Sequence, residues 1–250
     1  MAGRTVVISG GGTGIGLATA HAFAREGDTC VLVGRRAGAL SRAAESVDRA
    51  VACPADLGGP EGAARVAAFV ADRFGAVDVL VHAAGGSGAL EPGPGEGADA
   101  LTRTAHAWTT AFRGNVLTAV LLTEALKDRL ASPGGRLLFV SSIAAFRGSG
   151  SAAYAGAKAA LHPYALALAA ELGPRGVTVN VVAPGYVEDT EFFGESMPPE
   201  RRAQRIGETL DGRAGHPGDV AQTLHWLASH AASHVTAQVI RVDGGAFPGR

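Results

Sequence analysis

Residues Thr5 to Gly16 read T-V-V-I-S-G-G-G-T-G-I-G. A short β-branched run gives way to a glycine cluster at Ser9-Gly10, and a helical pattern then opens. Ile15, Ala18, Ala22 and Phe23 recur at three- and four-residue steps up to Gly27. A strand, a glycine turn and a helix in this order bring backbone N–H groups and the positive end of a helix to one point, where a pyrophosphate binds. The spacing Gly10-x-x-x-Gly14-x-Gly16 is a variant of the G-x-G-x-x-G dinucleotide fingerprint. A glycine cluster alone is equally an ordinary tight turn; the flanking strand and helix favour phosphate.

The rest of the chain repeats the alternation. Thr29 to Val33 predicts a second strand, ending in Gly34-Arg35-Arg36. A dinucleotide fingerprint normally places an acid there, on the adenosine ribose. Two arginines stand there instead and point to a 2′-phosphate, hence to NADP(H) over NAD(H); the alternative is a solvated turn. Ala50 to Cys53 is a third strand, with Asp56-Leu57 beyond it, and Glu61 to Phe74 is amphipathic. Val77 to Val81 leads to His82-Ala83-Ala-Gly85, and Gly86 to Gly97 predicts a mobile surface loop. A long helical stretch is expected from about Leu101 to Leu130, carrying Asn115. Arg136 to Val140 is the fifth strand, and a helix around Tyr154 runs to Leu172 with Pro163 inside it, where a kink and one lost hydrogen bond are expected. Val177 to Val182 precedes Pro184-Gly185, and Glu191 to Gly215 reads as an irregular substrate lid, within a loop spanning 187–215. A helix from Gly218 to Ser229 and a strand from Gln238 to Val242 end at Asp243-Gly-Gly245. The prediction is α/β: one domain over 1–250, a doubly wound parallel sheet with helices on both faces.

The chemistry concentrates in Ser142 to Lys158, S-I-A-A-F-R-G-S-G-S-A-A-Y-A-G-A-K. Tyr154 and Lys158 stand at i and i+4, so phenol and ammonium share a helix face. A phenol normally holds its proton to about pH 10, and a neighbouring ammonium favours the phenolate. Ser142 is placed to polarise a carbonyl while Tyr154 gives or takes the proton. The bland alternative is chance helical spacing. Against it, Arg is the general cation of this chain and Lys occurs only at Lys127 and Lys158.

At 250 residues and 47% hydrophobic content, the chain can bury one large core. A net charge of -1 with interspersed signs gives no nucleic-acid footprint. Cys30 and Cys53 lack metal spacing and read as core residues in a reducing compartment. No membrane span and no signal peptide are expected, so the expected location is the cytoplasm.

In this order and at these distances the motifs resemble the short-chain dehydrogenases/reductases, from the first strand to Gly245. The resemblance rests on Ser9-Gly10…Gly14-Ile15-Gly16, Asp56-Leu57, His82-Ala-Ala-Gly85, Asn115, Ser142, Tyr154-x-x-x-Lys158, Pro184-Gly185 and Asp243-Gly-Gly245. It implies a Rossmann-type sheet of about seven strands with a nicotinamide cofactor across its carboxyl ends. It also implies that Tyr154 is the acid/base, that Lys158 binds the nicotinamide ribose and lowers the Tyr154 pKa, and that Ser142 holds the substrate oxygen. Asn115 would anchor a water of the proton relay. Gly10, Thr13, Gly14, Ile15, Gly16, Asp56, Leu57, Ala83, Gly85, Pro184, Gly185, Val187 and Thr190 fall where the family touches the cofactor, joined by Arg35 and Arg36.

Three departures stand out. His82 replaces an Asn that is mainly structural in the family. The usual serine-to-tyrosine spacing gives Ser141, whereas aligning the strand end gives Ser142, the preferred choice. The loop before Thr190 is one residue longer than usual. The expected activity is NADPH-dependent reduction of a ketone, resembling the ketoreductases of 3-oxoacyl thioesters, in fatty-acid or secondary metabolism. The alternatives are an NAD-dependent dehydrogenase of a secondary alcohol and a non-catalytic cofactor sensor. The helix after Tyr154 is apolar on nearly every side and is expected to pack against a copy of itself; the resemblance implies a homotetramer or homodimer.

Overall fold

The computed structural model describes residues 3–86, 93–95, 97–193 and 197–248. Strands β1 (Thr5–Ser9), β2 (Thr29–Gly34), β3 (Ala50–Pro54), β4 (Val79–His82), β5 (Arg136–Val140), β6 (Thr178–Pro184) and β7 (Val239–Val242) pair in parallel in one sheet. Their order is β3-β2-β1-β4-β5-β6-β7. The helices among the described residues are α1 (Gly14–Ala24), α2 (Ala37–Ser46), α3 (Pro60–Arg73), α4 (Ala100–Phe112), α5 (Thr118–Leu126), α6 (Ala144–Arg147), α7 (Ala152–Leu172), α8 (Pro199–Gly207) and α9 (Pro217–Leu227).

Alternation along β1 sorts the two layers. Val6 and Ile8 face a core shared with Phe23 of α1, Leu40 of α2 and Val220 and Leu224 of α9. Val7 faces the opposite core, filled by Val66 and Val70 of α3, Leu122 of α5 and Leu161 and Leu168 of α7. Central strands buried on both faces must be continuously apolar, which is why β5 reads R-L-L-F-V and was legible with its observed bounds. At the amino end of β1, Arg4 pairs with Asp28 at 2.7 Å and donates to the Ala228 carbonyl at 2.7 Å. Phe23 and His225 meet edge to face at 5.1 Å, so α1 leans on α9.

The strand order reverses between β1 and β4, where Ser9 pairs with His82. The chain leaves β1 towards one face and β4 towards the other, and a cleft opens between the departing loops. Cys30 and Cys53 are both buried free thiols. Among the described residues no helix is long and apolar enough to cross a membrane.

One expectation is met with added detail and one is corrected. The stretch 101–130 is helical almost throughout, as expected, but its type changes along the way: α4 and α5 are joined by a π-helical turn, Arg113–Leu117, and α5 ends in a 3-10 turn, Lys127–Arg129. Asn115 causes the interruption, because its side-chain Nδ2 takes the Ala111 carbonyl at 2.9 Å, the acceptor its own amide would use in an α-helix. The 191–215 segment is not irregular throughout. It contains α8, begun by Pro199 and amphipathic, and Val187 bridges Gly215. Arg202 bonds Glu188 at 2.6 Å, and Glu208 bonds Arg147 at 2.6 Å, which pins both ends. Of the predicted loop 86–97, residues 87–92 and 96 lie outside the described residues, as do 194–196 of the lid. Helix α7 continues unbroken through Pro163.

Candidate active site

The glycine turn forms the floor of the cleft. Gly10 has φ +70°, a conformation that favours glycine, and a Cβ there would lie 2.8 Å from the Ala83 carbonyl. At Gly16 a Cβ would lie 2.2 Å from the Gly10 oxygen, so the helix can start this close only with glycine. Thr13 precedes α1 without capping it by its side chain, and the first turn carries no acid. The N-terminal N–H groups are thus left to an anion, and the cradle fits a pyrophosphate. Ile15 packs below, against the α1 core. Above, Thr190 Cγ2 comes within 3.4 Å of where a Gly14 Cβ would stand.

Arg35 and Arg36 lie exposed at the end of β2. Arg36 is engaged: its Nη2 and Nη1 donate to the Glu191 carboxylate at 2.5 and 3.3 Å. Asp56 Oδ1 accepts from the Gly58 amide at 3.0 Å, and Oδ2 pairs with Arg113 at 3.3 Å. Leu57 is buried in the core beneath. At the opposite side, Pro184 ends β6, and a Cβ on Gly185 would lie 2.9 Å from the Asp243 Cα, which explains a glycine there. Val187 is buried, and Thr190 Oγ1 donates back to its carbonyl at 3.4 Å.

The residues expected to carry the chemistry gather at the carboxyl ends of β4 and β5. Ser151 caps α7 by accepting from the Tyr154 amide at 3.3 Å, which sets the phenol in the first turn. Ser142 stands beside the Tyr154 phenol, close enough to lower its pKa. Lys158 Nζ donates to the Val140 carbonyl at 2.9 Å and lies 5.9 Å from the Tyr154 ring centroid. Gly85 closes the group. A Cβ there would meet Asn115 Oδ1 at 2.5 Å and Lys158 Nζ at 2.8 Å. Asn115 clamps the loop after β4: Nδ2 donates to the Gly86 carbonyl at 3.0 Å, and Oδ1 accepts from the Gly86 amide at 3.1 Å.

Burial moves both titrating groups towards neutrality. It pushes the Tyr154 phenol up to about 12, against a smaller lowering by the neighbouring Ser142 side chain. It brings the Lys158 ammonium down to about 8. The expected lowering of the Tyr154 pKa by Lys158 is therefore not met in this structure. Desolvation dominates, and Phe192 covers the phenol with ring centroids 5.1 Å apart.

The two serines separate. Ser141 is buried, donates to the Lys158 carbonyl at 3.0 Å and meets His162 Nε2 at 2.9 Å. Ser142 is the one beside Tyr154. His82 is buried, with Nε2 2.8 Å from Thr123 Oγ1 and its ring stacked on Phe139 at 4.7 Å. Burial brings its pKa down to about 3, so it is a neutral packing residue. The sequence singles out none of three residues that meet the site: His162 touches Ser141, and within the expected lid Glu191 touches Arg36 and Phe192 touches Tyr154. Each does so through a long-range contact that leaves no local pattern.

A family model described as enoyl-(acyl carrier protein) reductase matches residues 10–246. Galactitol 2-dehydrogenase (L-tagatose-forming) of Cereibacter sphaeroides is 34% identical, over 97% of this chain and 94% of that protein. The 3-oxoacyl-[acyl-carrier-protein] reductase FabG of Vibrio cholerae is 28% identical over 98% of both. Among solved structures, the Pseudomonas aeruginosa RhlG/NADP active-site complex superposes with a TM-score of 0.84 at 27% identity, covering 98% of this chain and 97% of that one. With the sheet order and the Tyr154/Lys158 face, these relationships make the chain a member of the short-chain dehydrogenase/reductase family, an NAD(P)-dependent oxidoreductase acting on a secondary alcohol or its ketone.

Proposed function

We propose that this protein reduces a ketone to a secondary alcohol with NADPH, as one catalytic domain over residues 1–250. The observation that carries the reading is the buried Tyr154 phenol, with Ser142 beside it and Lys158 Nζ 5.9 Å from its ring centroid. A phenol with a pKa near 12 keeps its proton at neutral pH, the state a proton donor needs. A nicotinamide cofactor held in this cleft would supply hydride chemistry towards a substrate carbonyl. Ser142 donates to the substrate oxygen, and Tyr154 delivers its proton there as the C–O bond gains negative charge. Lys158, fixed by the Val140 carbonyl, holds its positive charge near the phenol and takes the nicotinamide ribose. Asn115 anchors a water of the proton relay while its side chain holds Gly86. The cradle of Gly10, Thr13, Gly14, Ile15 and Gly16 takes the pyrophosphate. Arg35 and Arg36 take the 2′-phosphate, whose planar, charge-assisted hydrogen bonds favour guanidinium. Asp56, Leu57, Ala83, Gly85, Pro184, Gly185, Val187 and Thr190 complete the wall.

The similarity to a 3-oxoacyl-[acyl-carrier-protein] reductase supports a ketone of fatty-acid or secondary metabolism. The deciding measurement is kcat/KM with NADPH and NADH on a panel of ketones; equal efficiency with both cofactors overturns the NADPH assignment. A second reading, an NAD-dependent dehydrogenase, is favoured by one observation: Arg36 is already occupied by Glu191.

The cytoplasm is the proposed location, where buried Cys30 and Cys53 stay reduced. The proposed assembly is a homotetramer. Trp108 and Phe112 of α4 and Leu166 of α7 are large apolar side chains left exposed on neighbouring helices, and Trp226 and Val239 are exposed near the β7 edge. Two such faces suit two kinds of twofold contact. A monomer mass by light scattering overturns it.

A further inference from the structure

We propose that Glu191 is a cofactor-discriminating residue. Its carboxylate holds the guanidinium of Arg36, so a 2′-phosphate gains Arg36 by exchange, while a plain ribose leaves the pair closed. The inference rests on the NADPH reading above.

The geometry lies in three consecutive residues. Thr190 sits over Gly14 at the start of α1, Glu191 reaches Arg36 at the end of β2, and Phe192 covers Tyr154. One turn of the lid thus spans the cleft from its adenosine end to its reacting end. The turn begins at Asp189, whose φ of +57° bends the chain back over the glycine floor.

The exchange has a direction. Arg36 and Glu191 are 54% and 53% exposed, so water and salt weaken the pair. A phosphate monoester carries about 1.5 to 2 negative charges at pH 7 and offers three acceptor oxygens, against one charge on the carboxylate. A neutral 2′-hydroxyl has no charge with which to displace Glu191 from a two-pronged contact. The 2′-phosphate therefore opens the pair, and opening it frees the turn that lays Phe192 on Tyr154. In this way Glu191 ties cofactor choice to the uncovering of the phenol.

The test is calorimetric binding of 2′,5′-ADP and 5′-AMP to the full-length protein at low salt. The proteins are wild type, Glu191→Gln, Arg36→Gln and the double variant; all the substitutions lie on exposed side chains. Glu191→Gln is expected to tighten 2′,5′-ADP by about two- to fivefold, the range of an exposed ion pair, and to leave 5′-AMP unchanged. In the Arg36→Gln background the same change is expected to do nothing. Equal tightening of both nucleotides, or the same gain without Arg36, means general charge repulsion and overturns the inference. Wild type binding both nucleotides equally overturns the NADPH reading beneath it. A wild-type preference for 2′,5′-ADP that Glu191→Gln leaves unchanged overturns only the role of Glu191.

Discussion

Ser141 Oγ lies 2.9 Å from His162 Nε2 and donates to the carbonyl of Lys158 at 3.0 Å, so this hydroxyl joins the end of β5 to the middle of α7. Its neighbour Ser142 is the one that reaches Tyr154. The pair is expected to divide under mutation. Ser142→Ala should lower kcat by about 10²-fold, as removal of one donor to a developing oxyanion does, with little change in Tm. Ser141→Ala should lower Tm first, since it leaves His162 Nε2 without this partner, at a cost of about 1–3 kcal/mol. A larger kcat loss for Ser141→Ala reverses the assignment.

Tyr154→Phe keeps the ring against Phe192 and removes only the hydroxyl. NADPH binding, followed by fluorescence, should be unchanged, while kcat falls by about 10²- to 10⁴-fold. Activity within a few-fold of wild type removes Tyr154 from the chemistry.

Lys158 is a buried ammonium brought down to about 8 from its ordinary value of 10.5. Below pH 8 both the folded and the unfolded chain carry the proton, and the folded state bears the full cost of burying the charge. Between about pH 8 and 10.5 the unfolded chain binds more protons, so this group makes stability rise with pH. Lys158→Met should therefore be more stable than wild type at pH 7, with an advantage that shrinks towards pH 10. Urea unfolding at pH 7, 8.5 and 10 reads the difference; a constant gap contradicts the shift.

His82 gives the opposite end of the pH scale. Burial holds its folded pKa at about 3, below the ordinary value of 6.5, so on acidification the unfolded chain takes up a proton that the folded one refuses. Stability contributed in this way is full above about pH 6.5 and is lost as pH falls towards 3, by up to about 1.4 kcal/mol per pH unit. His162, also lowered by burial, adds in the same sense. His82→Gln should lower stability at pH 7 through the lost stacking on Phe139, and should reduce the slope between pH 6 and 4 by about one proton. Equal slopes for the two proteins contradict a buried neutral His82.

What could be read from the sequence was what local pattern encodes. The apolar run Arg136–Val140 has to be a buried strand, and the glycines at 10, 14 and 16 sit where a side chain would strike backbone or strain the turn. Tyr154 and Lys158 were legible because helical spacing alone puts them on one face. The π-helical turn at Arg113–Leu117 was not, since it depends on the Asn115 side chain finding Ala111 and Gly86. Helix α8 was hidden by its polarity: P-E-R-R-A-Q-R-I-G buries no side chain, and it is fixed at its ends by Glu188 and Arg147. The contact of Arg36 with Glu191 joins residues brought together only by the finished sheet. For the same reason the Tyr154 pKa was misjudged, because spacing predicts a neighbour but not the loss of water around it.

The grip of Arg4 on the Ala228 carbonyl bears on how the chain comes off the ribosome. The β1–α1–β2 unit is made early, yet the face carrying Ile8, Phe23 and Leu32 is completed by Val220, Leu224 and Leu227 of α9, which emerge late. Until then a newly made amino-terminal half presents an uncovered apolar wall, of the kind that chaperones bind and that aggregates when left waiting. Slowed translation between β6 and α9 should therefore lower soluble yield more than the same delay after α9 has emerged.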